Sequence, residues 1–130
     1  IAFYAYMTKN FQSKGPSTTL IFDKTHTNVY NSYNNKTGVY TVPKSGIYVF
    51  NWMIREYKSQ HSVELVRNSE VLGATFKRAE EFDDDVVSGT VVSEVREGDS
   101  VFLRTHPQEG SKQIIHNNLH GRSSYSGWRL

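Results

Sequence analysis

Side chains able to recognise a ligand are concentrated in residues 106–124, a stretch in which apolar and polar residues do not alternate. Its imidazole, amide, ammonium and guanidinium groups can hydrogen-bond sugar hydroxyls, and arginine can bind a carboxylate or phosphate through two hydrogen bonds. We therefore predict a site for a carbohydrate or an anionic glycan. Its candidate residues are His106, Gln108, Lys112, His116, Asn117, Asn118, His120 and Arg122. Lys112 and Arg122 are the candidates for an anion such as lipopolysaccharide or sialic acid.

A sugar site also needs an aromatic surface for the C–H face of the ring. Tyr57 is a candidate for that surface, and Tyr30 and Tyr33 are alternatives. Each of the three tyrosines is equally compatible with cross-strand packing inside a sheet.

Two patterns could bind metal. His116 and His120 have the spacing of zinc ligands on a helix, but the intervening Asn117 and Asn118 favour a turn, and two solvated histidines are the simpler interpretation. The run Glu80–Asp85 holds five carboxylates, which suit calcium, although it lacks EF-hand spacing and charge runs are commonly solvated. No cofactor is required. Calcium stays open, with Asp83, Asp84 and Asp85 as candidate ligands.

Several function classes are disfavoured. The sequence has no cysteine and no Gly-x-Ser-x-Gly motif, so we expect a protein that is not an enzyme. A formal charge of +2 with scattered basic residues predicts no nucleic-acid partner. No apolar run approaches the ~20 residues that span a bilayer. The chain begins at Ile1 without a signal-like stretch, so we interpret it as a mature product or an excised domain.

Apolar residues alternate with a period of two between turn signals, which predicts an all-β chain that forms one domain over residues 1–130. Residues 9–19, 77–85 and 106–124 are predicted loops, and the last strand, from Tyr125 onward, is expected to be buried centrally. The predicted strands are Ala2–Met7, Leu20–Asp23, Val39–Val42, Ile47–Ile54, Val63–Val66, Val71–Phe76, Val86–Val95, Val101–Thr105 and the C-terminal run.

Asn35-Lys36-Thr37 is an N-glycosylation sequon beside a predicted turn. It has meaning only for a secreted chain, where Asn35 would be the modified residue.

Patterns spread over the chain resemble, in order, the globular-head domain of complement component 1, subcomponent q. They are Ala2-Phe3-Tyr4-Ala5; Ile21-Phe22-Asp23-Lys24 with Asn28 and Tyr30; Thr37-Gly38-Val39-Tyr40 with Pro43, Gly46, Tyr48 and Phe50; Ser88-Gly89 leading into Glu97-Gly98-Asp99-Ser100-Val101; and Tyr125-Ser126-Gly127. Val29 and the ending Trp128-Arg129-Leu130 depart from the family pattern.

This resemblance implies a jelly-roll β-sandwich of about ten strands, related to the tumour necrosis factor fold and assembled as a homotrimer. It also implies a secreted recognition protein of innate immunity, similar to stand-alone molluscan members, that binds carbohydrate or bacterial surface components. The alternative is a cytokine-like or structural head that engages a protein receptor. Some family members bind calcium near the trimer apex. Asp85 matches one such position, while Lys77 or Arg78 falls at the other.

Overall fold

The strand-forming sequence folds into nine strands and one short 3-10 helix in the described part of the computed structural model. That part comprises residues 1–12, 14–107, 114–115, 117–118 and 121–130, with only the backbone described for 57–61, 77–84 and 114. The strands are β1 (Ala2–Tyr6), β2 (Phe11–Gln12), β3 (Lys24–Asn28), β4 (Tyr40–Thr41), β5 (Gly46–Arg67), β6 (Glu70–Val95), β7 (Ser100–Thr105), β8 (Ile114–Ile115) and β9 (Ser124–Arg129), and the helix is Val29–Asn31. The predicted all-β class is confirmed.

The strands pair antiparallel in two layers that share β5 and β6. In the first layer the order is β3-β1-β9-β5-β6, and β5 pairs with β9 over residues 48–53. In the second layer β5 pairs with β7 over residues 63–67, and β7 also pairs with β4. The short strand β8 pairs with both β5 and β2 at one end of the sandwich.

The strand prediction is wrong in several places. The predicted loops 9–19 and 106–124 contain the short strands β2 and β8, and two further segments differ. Residues 77–85, predicted as a loop because they lack a strand pattern, belong to β6, where the backbone pairs with β5 on both sides of a register shift between Tyr57 and Ser59. Backbone hydrogen bonds extend a strand even where the side chains show no alternation, so the missing pattern does not end β6. The segment Leu20–Asp23 is not a strand either, and β3 begins at Lys24. Its apolar side chains instead hold the segment against the core, since Leu20 and Phe22 are buried.

Aromatic rings fill the space between the layers. Tyr48, Phe50, Trp52 and Ile54 of β5 all face the core, as their alternation predicts. Phe3 of β1 stacks on Tyr40 with ring centroids 4.2 Å apart, and it meets Tyr125 edge to face at 4.8 Å. Such pairs add to the stabilisation from apolar burial.

The closing strand β9 lies between β1 and β5, which confirms its predicted central position. Gly127 has a steric reason to be glycine. A Cβ there would lie 2.7 Å from Cε1 of Phe3 and 2.9 Å from Cδ1 of Phe50. First and last strands are therefore locked together through the core.

The turn between β5 and β6 contains Asn68, whose left-handed φ of 55° suits a tight hairpin. Within the described residues, no helix has the length and apolar character needed to cross a bilayer.

Candidate functional site

Asn117 ties the last connection of the chain to the first one. Its side-chain N–H groups donate to the Lys9 carbonyl at 3.0 Å and to the Met7 sulfur at 3.3 Å, and its Oδ1 accepts from the Ser123 backbone N–H at 2.6 Å. The residue is only 6% exposed. We predicted Asn117 as a ligand contact, but the structure places it in the interior with its amide used within the protein. It therefore positions the connection that carries Asn118 and Arg122.

Asn118 is exposed beside this anchor and contacts an arginine of β5. Its Oδ1 accepts a hydrogen bond from Arg55 Nη1 at 2.7 Å, and the same nitrogen donates to the Gly121 carbonyl at 3.1 Å. Arg55 lies on the outer face of β5, one residue beyond the buried Ile54. The structure thus brings a guanidinium group to the site that sequence reasoning missed, although its outward position follows from the alternation of β5.

Arg122 stacks on an aromatic row formed by β1. Its Cζ lies 3.9 Å from the centre of the Tyr6 ring. The centre of the Tyr4 ring lies 6.1 Å from the ring centres of both Tyr6 and His26. Cation–π contact fixes the guanidinium plane and leaves its N–H edge for another partner. Among the described residues, no hydrogen-bond acceptor is paired with that edge. Arg122 can therefore hold a carboxylate or phosphate with two hydrogen bonds.

The remaining candidates divide into two groups. His106 is half-buried after β7 in the second layer, and its backbone N–H donates to the Ser62 carbonyl at 3.0 Å. The structure does not bring it into contact with the Arg122 stack. Of the alternative tyrosines, Tyr30 is 68% exposed, whereas Tyr33 is 2% exposed and packs in the core. The other candidates lie outside the described residues or side chains: Gln108, Lys112, His116, His120 and the side chain of Tyr57.

Within the acidic run Glu80–Asp85, the Asp85 side chain is the one that the structure describes. Asp85 is half-buried, and its Oδ1 accepts a hydrogen bond from the Val86 N–H at 2.8 Å. The side chains of Asp83 and Asp84 lie outside the description. The described residues contain no group of three histidines or carboxylates positioned to hold a metal. Calcium takes six to eight oxygens, so the calcium hypothesis depends on acidic side chains that lie outside this description.

A larger apolar surface extends along the same outer face of the first layer and includes Tyr4 of the aromatic row. Six large apolar side chains, each 37–62% exposed, point to the same side of β1, β5, β6 and β9. We call this surface the open face, and its members are Tyr4, Ile47, Met53, Val86, Val92 and Trp128. Clustered exposed apolar residues typically mark an interaction surface.

The fold and its sequence match known proteins over almost the whole chain. The family model described as C1q domain matches residues 2–130. The chain belongs to the C1q domain family.

A curated relative, caprin-2 from Danio rerio, is 29% identical over 132 residues and covers 100% of the chain. The chain spans only 14% of the length of that relative and 51% of two others. Among solved structures, the globular domain of zebrafish complement 1qA aligns with a TM-score of 0.80 at 17% identity, covering 99% of this chain and 96% of that one. Eiger TNF from S. frugiperda also aligns at 0.80, with 13% identity over 100% of this chain and 92% of that one.

These structural likenesses confirm the predicted jelly roll and its kinship with the tumour necrosis factor fold. C1q and tumour necrosis factor domains are generally binding modules without enzymatic activity, and they typically form homotrimers. The surfaces that could serve assembly or binding are therefore the features of this chain that bear on its function.

Proposed function

We propose that this C1q domain is a secreted, non-enzymatic recognition module. It assembles as a homotrimer and binds carbohydrate or bacterial surface components such as lipopolysaccharide, in the manner of a lectin of innate immunity. The observation that carries the proposal is the open face, which adds an apolar surface to a chain whose own core is already complete. A second and third copy of the chain would remove that surface from water, as in other symmetric oligomers.

Assembly multiplies the ligand contacts. Arg122 on Tyr6 is the described group best suited to an anionic sugar or phosphate, and Asn118 with Arg55 supplies amide and guanidinium hydrogen bonds nearby. Each such site is small, so its affinity is expected to be low. It borders the open face, because Tyr4 belongs both to the aromatic row under Arg122 and to that face. Three linked copies raise the apparent affinity for a repetitive surface, because the second and third contacts form at high effective concentration.

A glycan array that includes bacterial lipopolysaccharides tests the recognition step. The assay compares the wild-type chain with Arg122→Gln, and with Arg96→Gln as the matched control at the β6–β7 turn. We expect binding to an anionic glycan that Arg122→Gln weakens at least about tenfold, the loss typical of one charge-assisted contact, and that Arg96→Gln leaves unchanged.

The same array run with a chelator tests the calcium hypothesis for Asp83, Asp84 and Asp85. Loss of binding on chelation that added calcium restores would support it, and unchanged binding would refute it. If no glycan is bound while one cell-surface protein is captured tightly, the lectin proposal fails in favour of the receptor-binding alternative.

A further inference from the structure

A pocket of about 350 Å³ opens between the β1–β2 connection, the segment before β3 and the turn before β4. Its apolar lining comes from Met7, Phe11 and Ile21. Met7 is fully buried and belongs to the core, while Phe11 and Ile21 are half-buried and Phe11 packs against that core. The volume lies at the lower end of the range for small-molecule sites. The pocket can therefore admit a ligand about as large as a short aliphatic chain.

The rim of the pocket carries a positive charge balance. Lys9 and Lys36 are exposed there, together with one carboxylate, Asp23. Within the described chain, neither ammonium group has a hydrogen-bond or ion-pair partner. Asp23 is already engaged, because it accepts hydrogen bonds from the backbone N–H of Thr8 at 2.9 Å and from the Thr8 hydroxyl.

Asp23 stays ionised at neutral pH. Its partial burial would raise the pKa, but the two hydrogen bonds from Thr8 and the nearby charge of Lys9 outweigh that effect, so the pKa lies below its ordinary value. The carboxylate thus offsets one of the two ammonium groups. One positive charge remains uncompensated on the rim.

The walls of the pocket are fixed before any ligand arrives. Asn117 holds the Met7 sulfur and the Lys9 carbonyl, and its backbone N–H donates to Asn10 Oδ1 at 2.8 Å. This last bond occupies the oxygen of the Asn10 amide and leaves its NH₂ group as a donor on the pocket lining. A preformed site loses little conformational entropy on binding.

We propose that this pocket binds a small amphipathic monoanion, with an aliphatic tail against Met7, Phe11 and Ile21 and an anionic head at Lys9 and Lys36. A carboxylate or a phosphate diester supplies a head group with the same single negative charge. The site shares no residue with the Arg122 stack or with the open face. It therefore does not depend on the glycan proposal, and either can fail alone.

Methyl NMR of methionine-labelled protein tests this site with an internal control. The chain has two methionines, Met7 in the pocket and Met53 on the open face, and Met53→Leu assigns the two signals. The probes are octanoate, octylammonium and octyl glucoside, which share one tail and differ in head charge. We expect octanoate to shift the Met7 signal saturably, with a dissociation constant below about 1 mM, and to leave Met53 unmoved.

The head-group preference is part of the same test. Octylammonium and octyl glucoside should bind at least about tenfold more weakly than octanoate, whereas octyl methyl phosphate, a diester with one negative charge, should match octanoate. Equal shifts of Met7 and Met53, equal binding of the three head groups, or no Met7 shift at millimolar octanoate would each overturn the proposal.

Substitution of a rim lysine distinguishes the charge contact of the head group from burial of the aliphatic tail. Lys36→Gln should weaken octanoate binding about threefold to tenfold, the range for an exposed charge contact, while leaving octyl glucoside binding unchanged. Lys44→Gln, an exposed lysine outside the pocket, is the matched control and should have no effect. An unchanged Met53 signal shows that each variant is folded. Equal effects of the two lysine substitutions would contradict the assigned role of Lys36.

Discussion

Gly127→Ala is expected to destabilise the fold because the closing strand has no room for a methyl group. The added Cβ would lie 2.7 Å from Phe3 and 2.9 Å from Phe50, and both rings are buried among other aromatic side chains. Overpacking of this kind costs about 1–3 kcal/mol. A gain of about 0.4–1 kcal/mol opposes it, since alanine restricts the unfolded chain more than glycine does. We expect a net loss of about 1–2 kcal/mol.

Thermal unfolding at fixed protein concentration measures this loss, because the stability of an oligomer depends on concentration. For a chain of this size, 1–2 kcal/mol corresponds to a decrease in Tm of roughly 3–10 °C. Gly121→Ala is the matched control. A Cβ there would meet the Arg55 side chain at 3.6 Å, an ordinary contact, so its Tm should change little. A Gly127→Ala variant as stable as wild type would refute the close packing of β9 between β1 and β5.

Three further results are expected. Asn117→Ala removes the amide that joins the first and last connections and should lower stability by about 1–3 kcal/mol, read from urea unfolding; a neutral effect would contradict the anchoring role. Hydrogen bonds from the Arg96 backbone N–H, Asn68 and Arg67 hold the pKa of Asp99 below its ordinary value. The ionised Asp99 carboxylate therefore stabilises the fold above about pH 4, and this stabilisation is lost as the pH falls through the lowered pKa. Wild type should therefore lose more stability between pH 7 and pH 3 than Asp99→Asn does. Equal losses would contradict the stabilising role of the Asp99 carboxylate. Expression through a eukaryotic secretory pathway should add a glycan that Asn35→Gln removes, seen by mass spectrometry; an identical mass for both chains would count against the sequon.

The fold was predictable wherever one face of a strand is buried. The alternation of Tyr48, Phe50, Trp52 and Ile54 identifies both the strand and its inward face, because a shift of one residue would expose all four side chains. It does not reveal that β5 continues to Arg67 and serves both layers. Strand length there depends on pairing with β6 across the hairpin and with β7, which lies farther along the chain.

The candidate site was predictable only in part, because residue type does not report burial. Asn117 and Asn118 are adjacent amides, yet one is a buried anchor and the other contacts Arg55 on the surface. Only the partners of Asn117, on a connection more than a hundred residues away, distinguish the two. The Arg122 stack on Tyr6 is likewise a contact between the two ends of the chain.

Self-assembly through the open face can be probed with one charge. Val92 is the most exposed apolar residue of that face, so Val92→Glu would place a carboxylate in the proposed interface at a large desolvation cost. Val71→Glu puts the same charge at an exposed position of β6 outside the open face and serves as the control. The isolated fold should tolerate both changes, as circular dichroism can verify.

Sedimentation equilibrium of the wild-type chain at micromolar concentration tests the central claim most directly. Because one chain has a mass of 14.9 kDa, a homotrimer predicts a particle of three times that mass. Val92→Glu should then sediment as a single chain while Val71→Glu stays trimeric. A wild-type particle of 14.9 kDa, or a trimer that Val92→Glu leaves intact, would contradict assembly through the open face.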